Sequence, residues 1–575
     1  MEKQSLKPSV AKPWLQFFTK EAIESEIPQD ILYNIVKNNN EGYHSNIALN
    51  YLDNRITYGE FFKNVEAAAA SFEALGVKKG DTVICASITI PEMAYTLYAL
   101  NKIGATMFAV DPRMTAQFLE DKVKESKAKV VLYVDVFHDK FAEMLPTLDV
   151  AKVVTISICD SMPFIKKMVV KSKLPKVEFT DKIVNWKTFL SYGKGKTSSV
   201  CKYGDNDVAA ITLTGGTTGT PKGVMLTNDG FNAVMHSFYN CGVPYTRDQK
   251  FFNIIPAFSS YGIVASLHMP LSLGLEIILV PKFDPEKAGW YFKKYRPAHT
   301  LLVPAMYEKL MNSKEMKGFD LSFFYTAGSG GDTMNIGLEE KLNNFLKSHG
   351  AQFPLSQGYG MSEVSSAASC SCNGNFRSQS VGYPLLATTI AIFKPDTTEE
   401  IGYNEVGEIC ISGPTVMKGY LNNQAETDNV IRTHPDGTVW VHSGDLGYMD
   451  EDGYVYIKGR IKRMITRFDG HKVFPVQIED LVGKHEAVES CAVVGVKDRT
   501  RAQGQMPQTF VKLNPGFDAD KVREELLALY QTDLEERGRP LGVEFVDEMP
   551  HTGMGKIDYN KLAEDYDKAL DAEGK

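Results

Sequence analysis

No apolar run in the 575 residues approaches the length of a membrane-spanning helix. The opening residues, Met1 to Pro13, carry Lys and Ser but lack the apolar core of a secretory signal, so none is expected. Positive charge is not in excess. Against 71 Asp and Glu stand 63 Lys and Arg, a net charge of −8, which favours solubility and argues against nucleic acid as the main partner. Cysteine is sparse: Cys85, Cys159, Cys201, Cys241, Cys370, Cys372, Cys410 and Cys491 are scattered and form no disulfide framework. Cys370-x-Cys372 lacks a second pair at zinc spacing and reads as structural or incidental. Free thiols in a reducing cytoplasm are the expectation.

What is present is the composition of a globular protein, 43% hydrophobic and 23% charged. The length exceeds what one core can serve, so two or more domains are expected. From a helix near Asp30 to Asn38 and a longer one ending at Leu75, the chain alternates. Thr82–Ala86 reads as a strand, Glu92–Ile103 as a helix, and Ala105–Val110, Val130–Val134 and Val153–Ile158 as further strands. This rhythm predicts an α/β layer with mostly parallel strands. Leu275–Val280 and Thr300–Val303 continue it as strands around a helix over Pro285–Tyr295. Met162 to Leu174 departs from it, being basic and amphipathic. One reading is contact with a membrane surface or a lipid substrate; the plainer one, a solvated surface helix, is preferred.

Residues 211–228 hold the densest chemistry. Gly215, Gly216 and Gly219 allow a sharp turn and close approach. Thr214, Thr217, Thr218 and Thr220 supply hydroxyls, and Lys222 a cation. The pattern is strand–loop–strand, with Asn228 or Asp229 capping a helix from about Phe231. Such a loop can cradle phosphates, and by composition alone it is equally a ligand-free hairpin. It is not a Walker A loop, because Pro221 precedes Lys222 and strand-like sequence follows. Five further strings stand out. They are Pro256-Ala257-Phe258-Ser259-Ser260-Tyr261; Thr326 to Asp332 after a strand at Phe323–Tyr325; Gln357-Gly358-Tyr359-Gly360-Met361-Ser362-Glu363; Ser443-Gly444-Asp445; and Gly459-Arg460-Ile461-Lys462-Arg463 after a strand at Gly453–Lys458. Near the end comes Pro550-His551-Thr552-Gly553-Met554-Gly555-Lys556. A lone Glu or Lys in any of these would ordinarily be a solvated charge.

In this order the strings resemble those of the adenylate-forming (AMP-binding) superfamily, which includes acyl-CoA synthetases, luciferases and peptide-synthetase adenylation domains. The resemblance covers about residues 30–565. It implies an α/β fold of the acyl-CoA synthetase/luciferase kind. A large N-terminal domain of α/β subdomains plus a β subdomain, residues 1–459, would be followed by a small mobile α+β domain, residues 460–575, hinged near Lys462. The resemblance assigns ATP to Thr214, Gly215, Gly216, Thr217, Thr218, Gly219 and Lys222. Gly328 and Ser329 would border adenine, and Gly358, Tyr359, Gly360, Met361 and Ser362 the adenine and α-phosphate. Asp445 would hold the ribose, Arg460 the ribose or α-phosphate, and Glu363 a Mg²⁺ ion. Lys556, with Glu363 and Thr218, would stabilise the charge developing in adenylation. Phe258, Ser259 and Tyr261 would line the acyl site, and Gly470 would face CoA.

The chain departs from the family pattern at Gly215, which replaces a Ser, and at Ser259, which replaces a His. Ser362 replaces a Thr but keeps the hydroxyl, and Gly470 lies one residue farther from Arg460 than usual. No Asp stands where amino-acid-activating relatives hold an amine. The implied activity is ATP-dependent conversion of a hydrophobic carboxylic acid, a medium- or long-chain fatty acid, to an acyl-adenylate and then to acyl-CoA. Aryl- or sterol-acid CoA ligation and loading of a free carrier protein are the alternatives. A regulatory nucleotide-binding protein with degraded catalysis conflicts with the retained Glu363, Asp445, Arg460 and Lys556. A monomer or homodimer is expected, and Asp565 to Lys575 reads as a charged tail rather than a fused carrier.

Overall fold

The alternation of strands and helices builds two sheets that share a helical layer. The structure, a computed structural model, describes residues 7–214, 221–501, 503–550 and 557–572. A nine-stranded sheet runs in spatial order from Tyr383–Pro384 and Ser369–Cys370 through Leu355–Tyr359, Thr326–Ser329, His299–Leu302, Lys250–Asn253, Glu276–Leu279 and Ile47–Tyr51 to Asn54–Thr57. An eight-stranded sheet runs from Gly419–Tyr420 and Gly223–Thr227 through Val208–Leu213, Thr106–Val110, Thr82–Ala86, Val130–Val134 and Lys152–Ile156 to Ile183–Asn185. Their interior strands are parallel; both ends of the nine-stranded sheet and the end of the eight-stranded sheet at Gly419–Tyr420 and Gly223–Thr227 are antiparallel, while the edge strand Ile183–Asn185 pairs in parallel. Val130–Val134, buried at every position, shows why: a strand covered on both faces needs a continuous apolar run.

The helix Pro91–Ile103 is buried along its whole length. It packs on the helix Tyr58–Ala74, and between them the pair touches both sheets. Tyr58–Ala74 begins with a reciprocal cap in which Thr57 Oγ1 accepts from Glu60 N–H while Glu60 accepts from Thr57 N–H. Caps of this kind stabilise a helix by about 1 kcal/mol. A third, antiparallel sheet of five strands includes Thr389–Phe393, Gly407–Ser412 and Val439–Met449, with Val455–Arg460 paired to the last of these.

Beyond Ile465 the chain carries apolar clusters of its own, centred on Ile478, Val493, Val511 and Leu526 and on Ala492, Phe510 and Leu562. Val488–Lys497 pairs antiparallel with Gln505–Leu513, which pairs in parallel with Val543–Phe545. Pro475–Val482, Ala519–Asp533 and Tyr559–Ala572 are the helices.

Three expectations shift. The strand expected at Phe323–Tyr325 forms at Thr326–Ser329, because Ala327 and Gly328 find partners in Thr300 and Leu301 on one side and in Leu355 and Ser356 on the other. Pairing on both edges outweighs the poor strand propensity of Gly and Ser. The helix expected from Phe231 starts at Asn228 and is capped by Thr227, whose hydroxyl accepts from Gly230 N–H. Asn228 cannot serve as the cap, since its Oδ1 accepts from Leu32 N–H and the Asn101 amide; Asp229 instead accepts from Tyr203 and Asn206. The strand expected at Gly453–Lys458 runs Val455–Arg460, which sets Arg460 opposite Asp445.

Candidate active site

Thr214 and Lys222 sit at the mouth of the antiparallel hairpin Val208–Leu213 and Gly223–Thr227. Thr214 N–H donates to the Lys222 carbonyl at 2.9 Å, and Lys222 N–H donates to Thr214 Oγ1 at 3.0 Å. The hairpin is closed there, and Gly215, Gly216, Thr217, Thr218 and Gly219 lie outside the described residues, as does Lys556. Lys222 Nζ is 2.7 Å from Glu426 Oε2 and 4.3 Å from the centre of the Tyr420 ring. That hydrogen bond and the lysine's charge hold the Glu426 carboxyl below its ordinary range. Lys462 lies close enough to act on the same carboxyl electrostatically.

Tyr420 joins this cation to Glu363, donating its hydroxyl to Glu363 Oε1 at 2.6 Å. Burial, then the Glu363 charge, push the phenol well up. Glu363 is only 8% exposed, and among the described residues no Lys or Arg pairs with it. A buried carboxylate with one oxygen fixed and no counter-cation is a hard-oxygen donor suited to Mg²⁺.

The strand Leu355–Tyr359 leads into this corner through Gly360, Met361 and a short helical turn at Ser362–Val364. At Gly360 a Cβ would come within 1.9 Å of the Ser366 carbonyl, so only glycine fits. Ser365 and Ser366 hold φ of +54° and +87°. Each costs on the order of 1–3 kcal/mol, strain of the kind that gathers at binding sites. Ser362 Oγ is 3.0 Å from Ser260 Oγ. Gly328 and Ser329 run alongside as the neighbouring strand, paired with Ser356 and Gln357. At Gly328 a Cβ would strike Leu301 at 2.3 Å, and Gly330 packs beside Gly358 and Tyr261.

At the other end Tyr359 donates its hydroxyl to Asp445 Oδ2 at 2.6 Å, and Arg460 Nε stands 2.7 Å from Asp445 Oδ1. Burial and then the Asp445 charge push the Tyr359 phenol well above its ordinary range. The loop carrying Asp445 is itself held. Asp445 N–H donates to Ser443 Oγ, Ser443 Oγ donates to the Ile409 carbonyl, and Gly444 N–H donates to Glu408 Oε1 at 3.0 Å. Glu408 in turn meets His442 Nδ1 at 2.8 Å. Burial pushes the Glu408 carboxyl up, but His442 and the Gly444 N–H outweigh it and hold the group below its usual range.

Phe258 and Tyr261 flank this region. Tyr261 packs against Gly331, and Phe258 lies under Arg113 with the guanidinium 5.6 Å from its ring. Ser259, which stands where the family has a histidine, is engaged locally. Its hydroxyl donates to the Pro256 carbonyl and accepts from Gly262 N–H, fastening the start of a π-helical turn at Tyr261–His268. Gly470 stands apart: it occupies a turn with φ of +79°, and a Cβ there would meet nothing within 4 Å. The residues that sequence reasoning missed are Tyr420, Glu426, Ser260 and Glu408. Tyr420 lies on the two-residue strand Gly419–Tyr420, whose place is set by pairing with Met225 and Val224. No local signal marks it.

Models of two domain families match the chain, the AMP-binding enzyme over residues 36–421 and the AMP-binding enzyme C-terminal domain over residues 477–556. The chain belongs to the AMP-binding enzyme family, in the acyl-CoA ligase branch of the adenylate-forming superfamily. It is an AMP-forming acid–thiol ligase by class. It is 31% identical over 565 residues to the long-chain-fatty-acid–CoA ligase of Bacillus subtilis, covering 96% of this chain and 98% of that one. It is 28% identical over 511 residues to 4-coumarate–CoA ligase CCL1 of Humulus lupulus, covering 87% of each. Among solved structures, ATP-bound MatB from Rhodopseudomonas palustris superposes with a TM-score of 0.79 at 23% identity, covering 93% of this chain and 99% of that one.

Proposed function

We propose that this enzyme activates a medium- or long-chain fatty acid with ATP and transfers the acyl group to CoA. The observation that carries the first half is that the strand Leu355–Tyr359 and the turn after it hold Glu363 at one end and, through the Tyr359 hydroxyl, meet Asp445 of a second sheet at the other, which suits a metal-binding carboxylate and a ribose acceptor. The acid's carboxylate oxygen bonds to the α-phosphorus as the bond to pyrophosphate breaks. Asp445 and Arg460 orient the ribose and Tyr359 stacks on adenine, while Lys222, the threonine loop and Lys556 balance the growing charge. A Mg²⁺ ion on Glu363 would neutralise phosphate charge.

In the second half the thiol sulfur attacks the acyl carbonyl, AMP leaves, and a thioester remains. We place the domain boundary after residue 459 and the pivot at Lys462, so that rotation withdraws Lys556 and brings up the Gly470 turn. Support comes from the cleft beside that turn, which Arg467, Phe468, Arg537 and Arg539 line together with the acids Asp469 and Glu536. Guanidinium groups and an exposed ring suit the phosphates and base of CoA. The Bacillus subtilis relative favours a long-chain acid. The 4-coumarate–CoA ligases among the relatives favour an aryl acid as the second reading. Eight free thiols suit the cytoplasm we assign.

The test is a substrate screen by mass spectrometry of the thioester product, offering fatty, aryl, sterol and amino acids with CoA. Medium- or long-chain acyl-CoA as the dominant product is the expected result. Turnover confined to aryl acids would select the second reading, and turnover confined to a carrier protein would refute the CoA assignment.

A further inference from the structure

The segment that breaks the α/β rhythm forms the helix Phe164–Lys171, and none of its residues is buried. Its exposed positions are the wrong kind for a solvated helix. Phe164 is 74% exposed, Ile165 73%, Met168 57% and Val169 61%. At 100° per residue these four fall in one stripe, about 140° wide. The opposite side seats the helix, with Val170, and Leu174 just beyond, packed on the core. Apolar residues therefore occupy both the inward and the outward face, and only the inward one is covered.

Lysines frame the outward stripe. Lys167 and Lys171 lie along one border, and Lys166 along the other, where it donates to the Leu52 carbonyl and to Asp53. Lys173 and Lys176 follow, and residues 161–177 hold five lysines and no acid in a chain whose net charge is −8. Asp53, the half-buried Asp160 and the buried Glu92 are acids near this group of cations. A second copy of the chain is a poor cover, since a two-fold contact would set these lysines against themselves. An anionic surface with an apolar interior matches both features at once.

We propose that the helix Phe164–Lys171 docks this enzyme on anionic phospholipid membranes. The helix lies in the plane of the interface. Phe164, Ile165, Met168 and Val169 enter the boundary between headgroups and acyl chains, and Lys167, Lys171 and Lys173 reach lipid phosphates. No helix among the described residues is long and apolar enough to cross a membrane, so this attachment is peripheral and reversible. The inference stands apart from the substrate assignment, because docking needs no turnover.

The test is co-sedimentation of the purified full chain with vesicles of mixed phosphatidylglycerol and phosphatidylcholine, and with vesicles of phosphatidylcholine alone. Binding to the anionic vesicles, weakened by salt, is expected. Phe164→Ser combined with Ile165→Ser, Met168→Ser and Val169→Ser should lower it roughly tenfold or more, and so should Lys167→Glu with Lys171→Glu. An unchanged thermal midpoint shows that these surface variants fold. Equal binding by wild type and both variants would overturn the proposal. So would failure to bind anionic vesicles, including the case in which the wild type self-associates through this face or binds only an acidic protein.

Discussion

The two ends of the cleft are built differently. At the end proposed for the ribose, Asp445 is surrounded by bonds made within the protein: Tyr359 and Arg460 on its oxygens, and Ser443, Gly444 and Glu408 bracing its loop. At the end proposed for the phosphates, Thr214 and Lys222 close the mouth of the hairpin, and Glu363 has Tyr420 but no cation among the described residues. The first end is organised before nucleotide arrives. In the proposed mechanism the second would receive charge from a metal and from Lys556. Binding should therefore be lost at the first end and turnover at the second.

The largest effect is expected from Lys556→Ala. Acyl-adenylate formation, read as pyrophosphate release, should fall about 10²–10³-fold, as when a donor to a developing charge is removed. Thioester formation from supplied acyl-adenylate should be spared, and equal loss of both half-reactions would remove the lysine from its assigned role. Asp445→Ala comes next. It leaves the Tyr359 hydroxyl and Arg460 without their carboxylate, and should lower kcat/KM for ATP about 10–10²-fold, mainly through KM. A change confined to kcat would erase the contrast between the two ends.

Tyr420→Phe is a milder probe of the phosphate end. It frees Glu363 from its one fixed bond, and the Mg²⁺ concentration needed for half-maximal rate should shift by about threefold to tenfold. An unaltered magnesium titration would mean that Tyr420 does not position Glu363. Glu408→Gln is the smallest. The Glu408 carboxyl is held below its ordinary value of 4.5, so its contribution to stability is present above that pH and lost as pH falls through the lower folded value. The variant should lose about 1 kcal/mol at neutral pH and converge on the wild type in acid, measured by urea unfolding. A constant difference across pH would assign the loss to packing instead.

How much of this could be read from the chain differs between the same two ends. Asp445, Tyr359, Arg460 and Glu363 sit in short strings that resemble those of the family, and the resemblance, rather than the residue types alone, marks them. The βα rhythm from Thr82 to Val134 also shows its strands directly, because a strand buried on both faces is apolar throughout. Tyr420, Glu408 and Ser260 could not be found that way. Each meets the site only through a hydrogen-bond partner 57, 36 or 102 residues away. Ser259 shows the converse. It occupies a marked position in the string, yet the local turn consumes its hydroxyl. Helix Phe164–Lys171 was legible as basic and amphipathic, but whether its apolar stripe faces in or out depends on Val170 and Leu174 meeting the core.

The most direct measurement is exchange of labelled pyrophosphate into ATP by the purified enzyme, with a fatty acid and Mg²⁺ but no CoA. The account predicts exchange that requires the acid and the metal and that vanishes in Lys556→Ala. No exchange with any carboxylic acid, or release of ADP in place of AMP, would contradict it.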